Sequence, residues 1–550
     1  MADLRVVWRW SAANYGPRPE ARGQVTPLMV DGVLYATAGV TRNIVAIDAA
    51  SGQTLWLWRP NEGERFDAAP RKMSGRGVAY WTDGDGDRRI VTITPGFHLA
   101  ALDAETGLPI TSFGDDGVVD MLAFVRGPAD NIEIGNTSPP MIVNDVIIVG
   151  PAHGVGARPN SKEQTKGDVR AFDVRTGELK WTFHTIPAPG EFGYETWLEG
   201  SADYTGNVGV WGPMSADPEL GYVYLPVEMP TSDFYGGERP GNNLFANSLV
   251  AVDVETGERV WHYQLIHHDI WDWDNPTAPI LLDVTVDGEP VKAVVQLTKQ
   301  AFAYAFDRET GEPIWPIEER PVGESDVPGE WTSPTQPFPT KPAPYDRQGF
   351  SEDDLIDFTP EIKAAALAEI GDLRLGPIFT PASLVGAADG TRGTLMLPNY
   401  GGGTNWEGGA ADPETGMLYV PSQTNPAIAA VRPDPDFTDI RYVFAGGQVP
   451  QPLGLPLVKP PWSRVTAIDM NTGDHVWMVA NGTMPEDIAD NPALEGLEIP
   501  DTGKFTRAML MVTKTLLFVG EGWNGDPVMR ALDKATGETI ATIRLPGATG

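Results

Sequence analysis

The segment 267–276, HHDIWDWDNP, places three aspartates among two tryptophans and two histidines. Carboxylates are costly to bury unless they are paired with a cation, whereas large aromatic side chains prefer burial. The segment is therefore either a surface loop with stray aromatic residues or the wall of a charged pocket. In an extended segment Asp272 and Asp274 point to the same side. An ionised carboxylate in such a pocket can work as a general base.

A buried cation is predicted further along the chain. Lys299, in QLTKQAFAYAFD, lies between apolar residues. Because an unpaired ammonium is unfavourable there, we expect Lys299 to have an anionic partner. The sequence has no phosphate-binding Gly-rich loop, dinucleotide-binding Gly fingerprint or serine nucleophile elbow in a strand-to-helix setting.

The elements that must position these residues are mainly strands. The 61 Gly and 50 Pro indicate many turns. Short β-branched runs, such as MIVNDVIIVG and KAVVQLT, are typical of strands, and the clearest helical segment is 359–373, TPEIKAAALAEIGDL. The sequence therefore predicts an all-β fold in a single domain over residues 1–550.

The composition excludes several classes of function and partner. A formal charge of −35 disfavours nucleic acid or an anionic membrane surface as a partner and would attract a basic protein. The absence of cysteine excludes disulfides, thiolate metal sites and cysteine nucleophiles. No apolar run reaches membrane-spanning length, and MADLRVVWRW lacks the apolar core of a signal peptide. Either the chain is cytoplasmic or a targeting segment lies outside this sequence.

One short pattern recurs along the whole chain. AIDAASGQTLW, AFDVRTGELKW, AVDVETGERVW, AFDRETGEPIW and AIDMNTGDHVW begin at residues 46, 171, 251, 305 and 467. Degenerate copies begin at residues 101 and 531, and similar turns at 215 and 410. Each copy is typical of a strand, an Asp-x-x-Thr-Gly turn and a second strand, in which Gly supplies a positive φ. The terminal Trp can then pack on the next unit.

Such a unit cannot bury its own apolar face and must stack on neighbouring units. When the units are four-stranded sheets, closure into a ring gives a β-propeller, which protects the sheet edges. Coincidental Asp/Gly hairpins are the alternative, and five full copies of the pattern make it a poor one. We predict a β-propeller.

The A-x-D-x-x-T-G-x-x-x-W repeat resembles the tryptophan-docking motif of the quinoprotein alcohol dehydrogenases. The resemblance covers nearly the whole chain and is strongest to the disulfide-lacking branch that includes membrane-bound glucose dehydrogenase. It implies an eight-bladed propeller that holds pyrroloquinoline quinone (PQQ) and a calcium or lanthanide ion near its axis. In that family more sequence precedes the first motif and a closing strand follows the last, so both ends of this chain are expected to be trimmed or short.

The resemblance also implies residues that bind the cofactor. PQQ is a planar quinone with three carboxylates, so its protein must cover its faces and neutralise its acids. Trp211, in GNVGVWGP, matches the family residue under the ring. Arg76, in SGRGVAYW, matches the arginine that holds a carboxylate and the C5 oxygen, a contact that suits a planar guanidinium. The other matched contacts are Thr137, Lys299, Asn405, Trp406 and, more weakly, Trp523. A core tryptophan, a surface ion pair or ordinary loop residues are the alternative interpretations of these positions.

The opening segment then matches the catalytic part of the family pattern. Asp272 corresponds to the general base, which takes the hydroxyl proton while hydride moves to the quinone. Asp274 corresponds to a second acid found in lanthanide-using members and in the glucose-dehydrogenase branch. His267 and His268 are expected to line the substrate mouth, although a lone histidine is more often structural.

Two departures from the family pattern concern the cysteines and the metal. Pro70 and Arg71 stand where methanol-dehydrogenase-like members have adjacent cysteines. Val155 stands near the place of the usual metal-binding acid, and the usual Gly-Asn site is Glu228-Met229. A hard cation needs several oxygen ligands and negative charge. We therefore expect Glu228 to join Asp272 and Asp274 around the ion; the alternative is that Glu228 caps a strand end.

Three classes of function remain open at this point. A PQQ- and metal-dependent dehydrogenase acting on an alcohol or sugar hydroxyl is favoured, because the matched residues lie on successive repeats. A non-catalytic propeller scaffold would have no need for them, and a propeller hydrolase would need an axial acid pair without a stacking tryptophan. The enzyme interpretation predicts a periplasmic protein, whose signal peptide is not in this sequence, and a basic cytochrome c as electron acceptor.

Overall fold

Seven antiparallel sheets form the framework of the described part of the chain. The computed structural model describes residues 4–16, 20, 23–128, 132–154 and 156–549. Each of these sheets joins its strands in sequence order, although minor strands intervene in sheets 3 and 6; six sheets have four strands and sheet 5 has three. The strands are Leu28–Val30, Val33–Ala38, Asn43–Asp48 and Thr54–Trp58 in sheet 1; Ala79–Thr82, Arg88–Ile93, His98–Asp103 and Val118–Asp120 in sheet 2; Met141–Val143, Val146–Val149, Val169–Asp173 and Leu179–Phe183 in sheet 3; Ser215–Asp217, Tyr222–Pro226, Ser248–Asp253 and Arg259–Gln264 in sheet 4; Ile280–Val286, Glu289–Leu297 and Ala303–Asp307 in sheet 5; Ala410–Asp412, Met417–Gln423, Ser463–Asp469 and Asp474–Ala480 in sheet 6; and Met509–Val512, Leu516–Gly520, Val528–Asp533 and Thr539–Arg544 in sheet 7.

Other elements lie between these sheets or between their strands, and five of the minor strands, from Leu373–Arg374 to Val443–Phe444, form a mixed sheet of their own. The minor strands are Ile134–Gly135, Ala152–His153, Ile317–Pro321, Thr335–Pro339, Leu373–Arg374, Ser383–Leu384, Gly393–Met396, Ala427–Arg432 and Val443–Phe444. The α-helices are Glu64–Ala68, Pro360–Glu369 and Glu486–Ala489, and the 3-10 helices are Met121–Phe124, Tyr194–Thr196, Leu198–Asp203, Glu352–Asp354, Pro452–Gly454 and Pro492–Leu494. Thr359 caps the helix that the sequence predicted, since its hydroxyl accepts from the Ile362 amide at 3.3 Å. The all-β prediction is confirmed.

The core lies between sheets rather than inside any one of them. Ile148 of sheet 3 and Val223 of sheet 4 belong to one buried apolar cluster. Leu297 of sheet 5 and Leu418 of sheet 6 belong to another. Face-to-face packing of successive sheets is the arrangement that a propeller requires.

The repeat's tryptophan bridges neighbouring sheets in the same way at several junctions. The Trp261 indole donates to the Arg308 carbonyl at 3.1 Å, and the Tyr224 hydroxyl donates to the same oxygen at 3.0 Å. Trp477 and Tyr419 make the equivalent pair of contacts to the Lys534 carbonyl, at 3.2 and 3.0 Å. Both accepting residues directly follow the aspartate of the next repeat, so each turn is also a docking point.

Glycine is required in this turn for two reasons. Gly311 has a φ of +77°, and a Cβ placed on it would lie 2.6 Å from the Trp261 ring. The same holds for Gly257 beneath Trp181 and Gly107 beneath Trp56, at 2.6 and 2.5 Å. The turn therefore needs both the left-handed conformation and the close approach of an indole.

The sheets bring the predicted site residues to one end. Arg76, Thr137, Trp211, Asp272 and Asn405 each precede the first strand of a sheet, and Lys299, Glu228 and Trp523 each follow a second strand. In an antiparallel pair the start of one strand and the end of the next lie side by side. The number of blades expected from the family, eight, is not established by these seven sheets and stays a prediction.

Candidate active site

Asp269 organises the loop with which the sequence analysis began. Its carboxylate accepts from the backbone amides of Trp271 and Trp273 at 2.7 and 2.9 Å, and from the Asn247 amide at 2.8 Å. The two indoles are buried and stacked with their ring centroids 5.7 Å apart. Burial raises the pKa of Asp269 to about 6 in spite of these donors. The loop is therefore buried rather than a surface loop, with Asp269 as its internal brace.

The two remaining aspartates of the loop share one lysine. The Lys299 ammonium donates to Asp272 Oδ1 at 2.9 Å, to the Asp272 carbonyl at 2.7 Å and to Asp274 Oδ2 at 3.1 Å. The anionic partner expected for Lys299 is thus present. The Trp211 indole adds a fourth contact, since it donates to Asp274 Oδ2 at 3.1 Å.

These contacts set the charges of the group. Burial raises the pKa of Asp272 to about 7, with Lys299 lowering it and Asp274 raising it. Burial alone would lower the pKa of Lys299, but the two carboxylates raise it above its ordinary value. The Asp272 side chain is 21% exposed while that of Lys299 is 5% exposed. The Asp274 side chain is 11% exposed, so Asp272 is the member of the group that is most accessible to solvent or a small substrate.

Arg76 lies between two of the predicted cofactor residues. The carbon of its guanidinium is 5.1 Å from the Trp211 ring centroid and 4.8 Å from that of Trp406. One nitrogen donates to Thr137 Oγ1 at 2.6 Å, whereas Arg76 Nε is buried without a hydrogen-bond partner. Burial lowers the pKa of Arg76 to about 9. Asn405 is adjacent, since its Oδ1 accepts from the Trp406 amide at 2.8 Å.

A cavity of about 340 Å³ opens on the far side of this group. Its lining includes Trp406, exposed Trp523 and Phe505, three aromatic side chains. Gln24, also in the lining, has a buried side-chain oxygen without a partner. Aromatic walls beside a buried guanidinium suit a flat anion, so the residues present fit PQQ.

The predicted metal-binding carboxylates are close together but not gathered around one point. Glu228 is buried, accepts from the Gly209 amide at 3.1 Å, and lies 3.7 Å from the His153 ring. Burial, with the charge of Asp274, raises the pKa of Glu228 well above its ordinary value. In the part of the chain that the structure describes, no three His, Asp or Glu side chains are placed to hold an ion.

The donors nevertheless suit a hard cation in charge and in type. Asp233 is buried beside the group, and burial, with the charges of Asp272 and Asp274, raises its pKa well above the ordinary value. The side-chain oxygens of Asn207 and Asn275 are buried without a partner. Excess carboxylates and unpaired oxygens are what such an ion takes up. Val155 lies outside the described residues.

The two histidines of the loop face away from Asp272. The His267 ring is 2.8 Å from Gln264 Oε1 and 3.0 Å from Glu319 Oε1. His268 is buried, 2.8 Å from the Gly241 carbonyl and 3.4 Å from Glu330 Oε1. Their assignment to the substrate mouth stays a prediction.

Three residues of the site were not found from the sequence. Asp269 lies in the segment that was singled out, but nothing in the pattern separates a brace from a catalytic acid. Asp233, in PTSDFYGG, and Arg507, which lines the cavity beside Trp406 and lies in KFTRAML, belong to no repeat or motif. Only the fold brings them to the site.

Comparison with known proteins places the chain in a family. The model of the PQQ-dependent glucose, ethanol and alcohol dehydrogenase β-propeller domain matches residues 1–550. The chain belongs to this family. The predicted resemblance is thereby confirmed, and because the quinoprotein dehydrogenases are oxidoreductases that act on CH–OH donors, the prediction of an enzyme is confirmed as well.

Curated relatives act on different hydroxyl compounds. The chain is 28% identical to the quinoprotein glucose dehydrogenase of Escherichia coli (strain K12), over 96% of this chain and 68% of that protein. It is 30% identical to the quinate/shikimate dehydrogenase (quinone) of Acinetobacter baylyi, over 99% and 70%. It is 28% identical to the glycerol dehydrogenase large subunit of Gluconobacter oxydans, over 99% and 76%.

Solved structures share the fold. A europium-containing methanol dehydrogenase aligns with a TM-score of 0.64 at 20% identity, over 99% of this chain and 81% of that chain. The quinohemoprotein alcohol dehydrogenase from Comamonas testosteroni aligns with the same TM-score at 22% identity, over 96% and 68%. The propeller prediction is thus supported at the level of the domain. No helix within the described residues is long and apolar enough to cross a membrane.

Proposed function

We propose that the chain oxidises a hydroxyl of an alcohol or sugar, with Asp272 as general base and PQQ as hydride acceptor. The observation that carries this is the position of Asp272: its carboxylate is partly exposed, paired with Lys299 at 2.9 Å, and has a pKa of about 7. A base with a pKa near the working pH is suited to remove a hydroxyl proton. Lys299 keeps the carboxylate in place and compensates its charge.

The cofactor would be held by the residues around Arg76. Trp211 would cover one face of the ring, and Arg76, whose guanidinium carbon lies 5.1 Å from the Trp211 ring centroid, would donate its unpaired buried N–H to an acid group or a quinone oxygen. Thr137, Lys299, Asn405, Trp406 and Trp523 complete the proposed contacts. When bound, PQQ supplies a quinone that takes hydride from the carbon bearing the hydroxyl.

A calcium or lanthanide ion is proposed at Glu228, Asp272 and Asp274. It would supply a Lewis acid for the oxidation. The chain's own contribution to holding the ion is its surplus of buried carboxylates, whose negative charge the ion would compensate. Asp274 adds negative charge, and because a trivalent ion gains more from that charge than a divalent one, a lanthanide is proposed beside calcium.

The rest of the proposal concerns the whole protein. The relatives that act on glucose, quinate and glycerol support a small hydroxyl compound as substrate. We propose an eight-bladed propeller in the periplasm that passes electrons to a basic cytochrome c. The support for that acceptor is the formal charge of −35.

The test separates turnover from cofactor binding. Asp272→Asn removes the base but not the proposed ring contacts, so turnover of an alcohol or sugar panel with an artificial dye should fall about 10²–10⁴-fold. PQQ binding should persist, and quenching of tryptophan fluorescence measures it. Asp287→Asn, at an exposed hairpin with a φ of +52°, is the matched control. Near-normal turnover of Asp272→Asn would remove Asp272 from the mechanism, and no PQQ binding by the unaltered protein would favour a non-catalytic scaffold.

A further inference from the structure

A second arginine stands in the cavity beside Trp406 and has no part in the function proposed above. Arg507 lines that cavity, and its side chain is 20% exposed. Its Nε donates to Glu407 Oε2 at 3.1 Å, and its Nη1 donates to the Gly401 carbonyl at 3.2 Å. These two contacts fix the guanidinium at the cavity wall and leave part of its donor fork open to the cavity.

Arg507 is attached directly to the predicted cofactor residues. The Asn405 amide donates to the same Gly401 carbonyl at 2.9 Å, so Arg507 and Asn405 meet on one oxygen. On the other side, the Arg76 guanidinium lies 4.8 Å from the Trp406 ring centroid. Glu407 is the charged group that has the largest effect on the pKa of Arg76, and it raises that pKa. Two guanidinium groups therefore flank the pair formed by Trp406 and Glu407.

The charges of this corner favour an anionic ligand. Among the described residues that line the cavity, Glu407 is the only acid and Arg507 the only cation. Arg76, next to Trp406, tips the local balance to positive because one carboxylate cannot neutralise two guanidinium groups. Arginine presents paired N–H groups in a plane, which matches a carboxylate better than a lysine would.

We propose that Arg507 binds one of the carboxylates of PQQ and is a second guanidinium anchor of the cofactor pocket. The inference rests on the proposed function, since it takes PQQ as the ligand. Arg507 was not among the residues that the family pattern pointed to, and the proposal comes from its place in the cavity. Its pairing with Glu407 keeps the cavity closer to neutral when no ligand carboxylate is present.

The experiment measures PQQ affinity rather than turnover. Arg507→Gln should raise the Kd for PQQ by about ten- to a hundredfold, the usual loss for a charge-assisted hydrogen bond. Tryptophan quenching or calorimetry measures this Kd. Arg374→Gln is the matched control, because Arg374 also pairs with an acid, Asp326, but lines none of the cavity. Arg507→Lys keeps the charge but loses the planar fork, so its Kd for PQQ should lie between those of Arg507→Gln and Arg374→Gln. This variant replaces Arg507→Gln in the test if Arg507→Gln does not fold.

A second ligand separates binding from a structural role. The trimethyl ester of PQQ has the same ring but no carboxylate charge, so the unaltered protein and Arg507→Gln should bind it equally. If Arg507→Gln lost affinity for PQQ and for the ester by the same factor, Arg507 would only support the Gly401 loop, and the proposal would be overturned. Equal PQQ affinity in Arg507→Gln and the unaltered protein would also overturn it. Failure of the unaltered protein to bind PQQ would instead count against the proposed function.

Discussion

Lys299 is the residue on which the charge of the site depends. It is bonded to Asp272 and Asp274 at 2.9 and 3.1 Å and is almost fully buried. Removing one partner of a buried ion pair leaves an uncompensated charge, which typically costs about 3–5 kcal/mol. We therefore predict that Lys299→Met lowers the free energy of unfolding of the cofactor-free protein by that order. Lys292→Met, which breaks an exposed pair with Glu309, should leave the free energy of unfolding nearly unchanged.

The same substitution carries a pH dependence whose sign follows from Asp272. Its folded pKa is about 7, above the ordinary value, so the folded protein takes up a proton that the unfolded chain releases. Without Lys299 this pKa rises further, and protonation relieves the unpaired charge. The stability lost in Lys299→Met should therefore be smaller at about pH 5 than at about pH 8.5. Urea unfolding at both values checks this, and an equal loss would mean that the ammonium is not compensating these carboxylates.

Motif position indicated some of the residues that lie together in the structure and not others. Trp211, Arg76 and Lys299 follow recognisable strings in loops next to strands, so the sequence could indicate them. Asp233 and Arg507 could not be indicated, because their place depends on which distant segments the sheets bring together. A carboxylate that braces a loop, as Asp269 does, has the same sequence signature as one that does chemistry.

The turn of the repeat is the element that the sequence predicted best, because its chemistry is local. The Asp173 carboxylate accepts from the amide and the hydroxyl of Thr176 at 2.8 and 3.1 Å, contacts that the spacing of the motif dictates. What the spacing does not give is the partner of each turn. The tryptophan that covers Gly311 comes from the preceding sheet, and only the stacking of sheets decides that.

The contact between the indole and the turn should contribute measurably to the free energy of unfolding. Gly311→Ala introduces a Cβ at a φ of +77° and 2.6 Å from the Trp261 ring, whereas Gly288→Ala meets a φ of +88° with nothing within 4 Å. Both substitutions carry the same backbone strain, at roughly 1 kcal/mol or more, but only Gly311→Ala also crowds the indole. We predict that Gly311→Ala costs about 1–3 kcal/mol more than Gly288→Ala in chemical unfolding. Equal costs would show that the indole contact contributes nothing beyond backbone conformation.

At the scale of the molecule the dominant property is charge. With 75 acidic and 40 basic residues the formal charge is −35, and the field of such a protein attracts a basic partner from a distance. Steered association depends on that field, and salt screens it over about 8–10 Å at physiological ionic strength. A basic cytochrome c should therefore be reduced more slowly as salt is added, while an uncharged dye should not.

The measurement that follows is the second-order rate constant for reduction of a basic cytochrome c by PQQ-loaded protein and substrate. We expect it to fall by about tenfold or more between low ionic strength and roughly 0.2 M salt, in line with electrostatically steered encounters. Turnover with the uncharged dye in the same buffers shows whether salt acts on the active site itself. An acidic cytochrome should be reduced slowly at low salt and faster as the repulsion is screened. A rate for the basic cytochrome that is indifferent to salt would contradict charge steering and point to an acceptor recognised by other means.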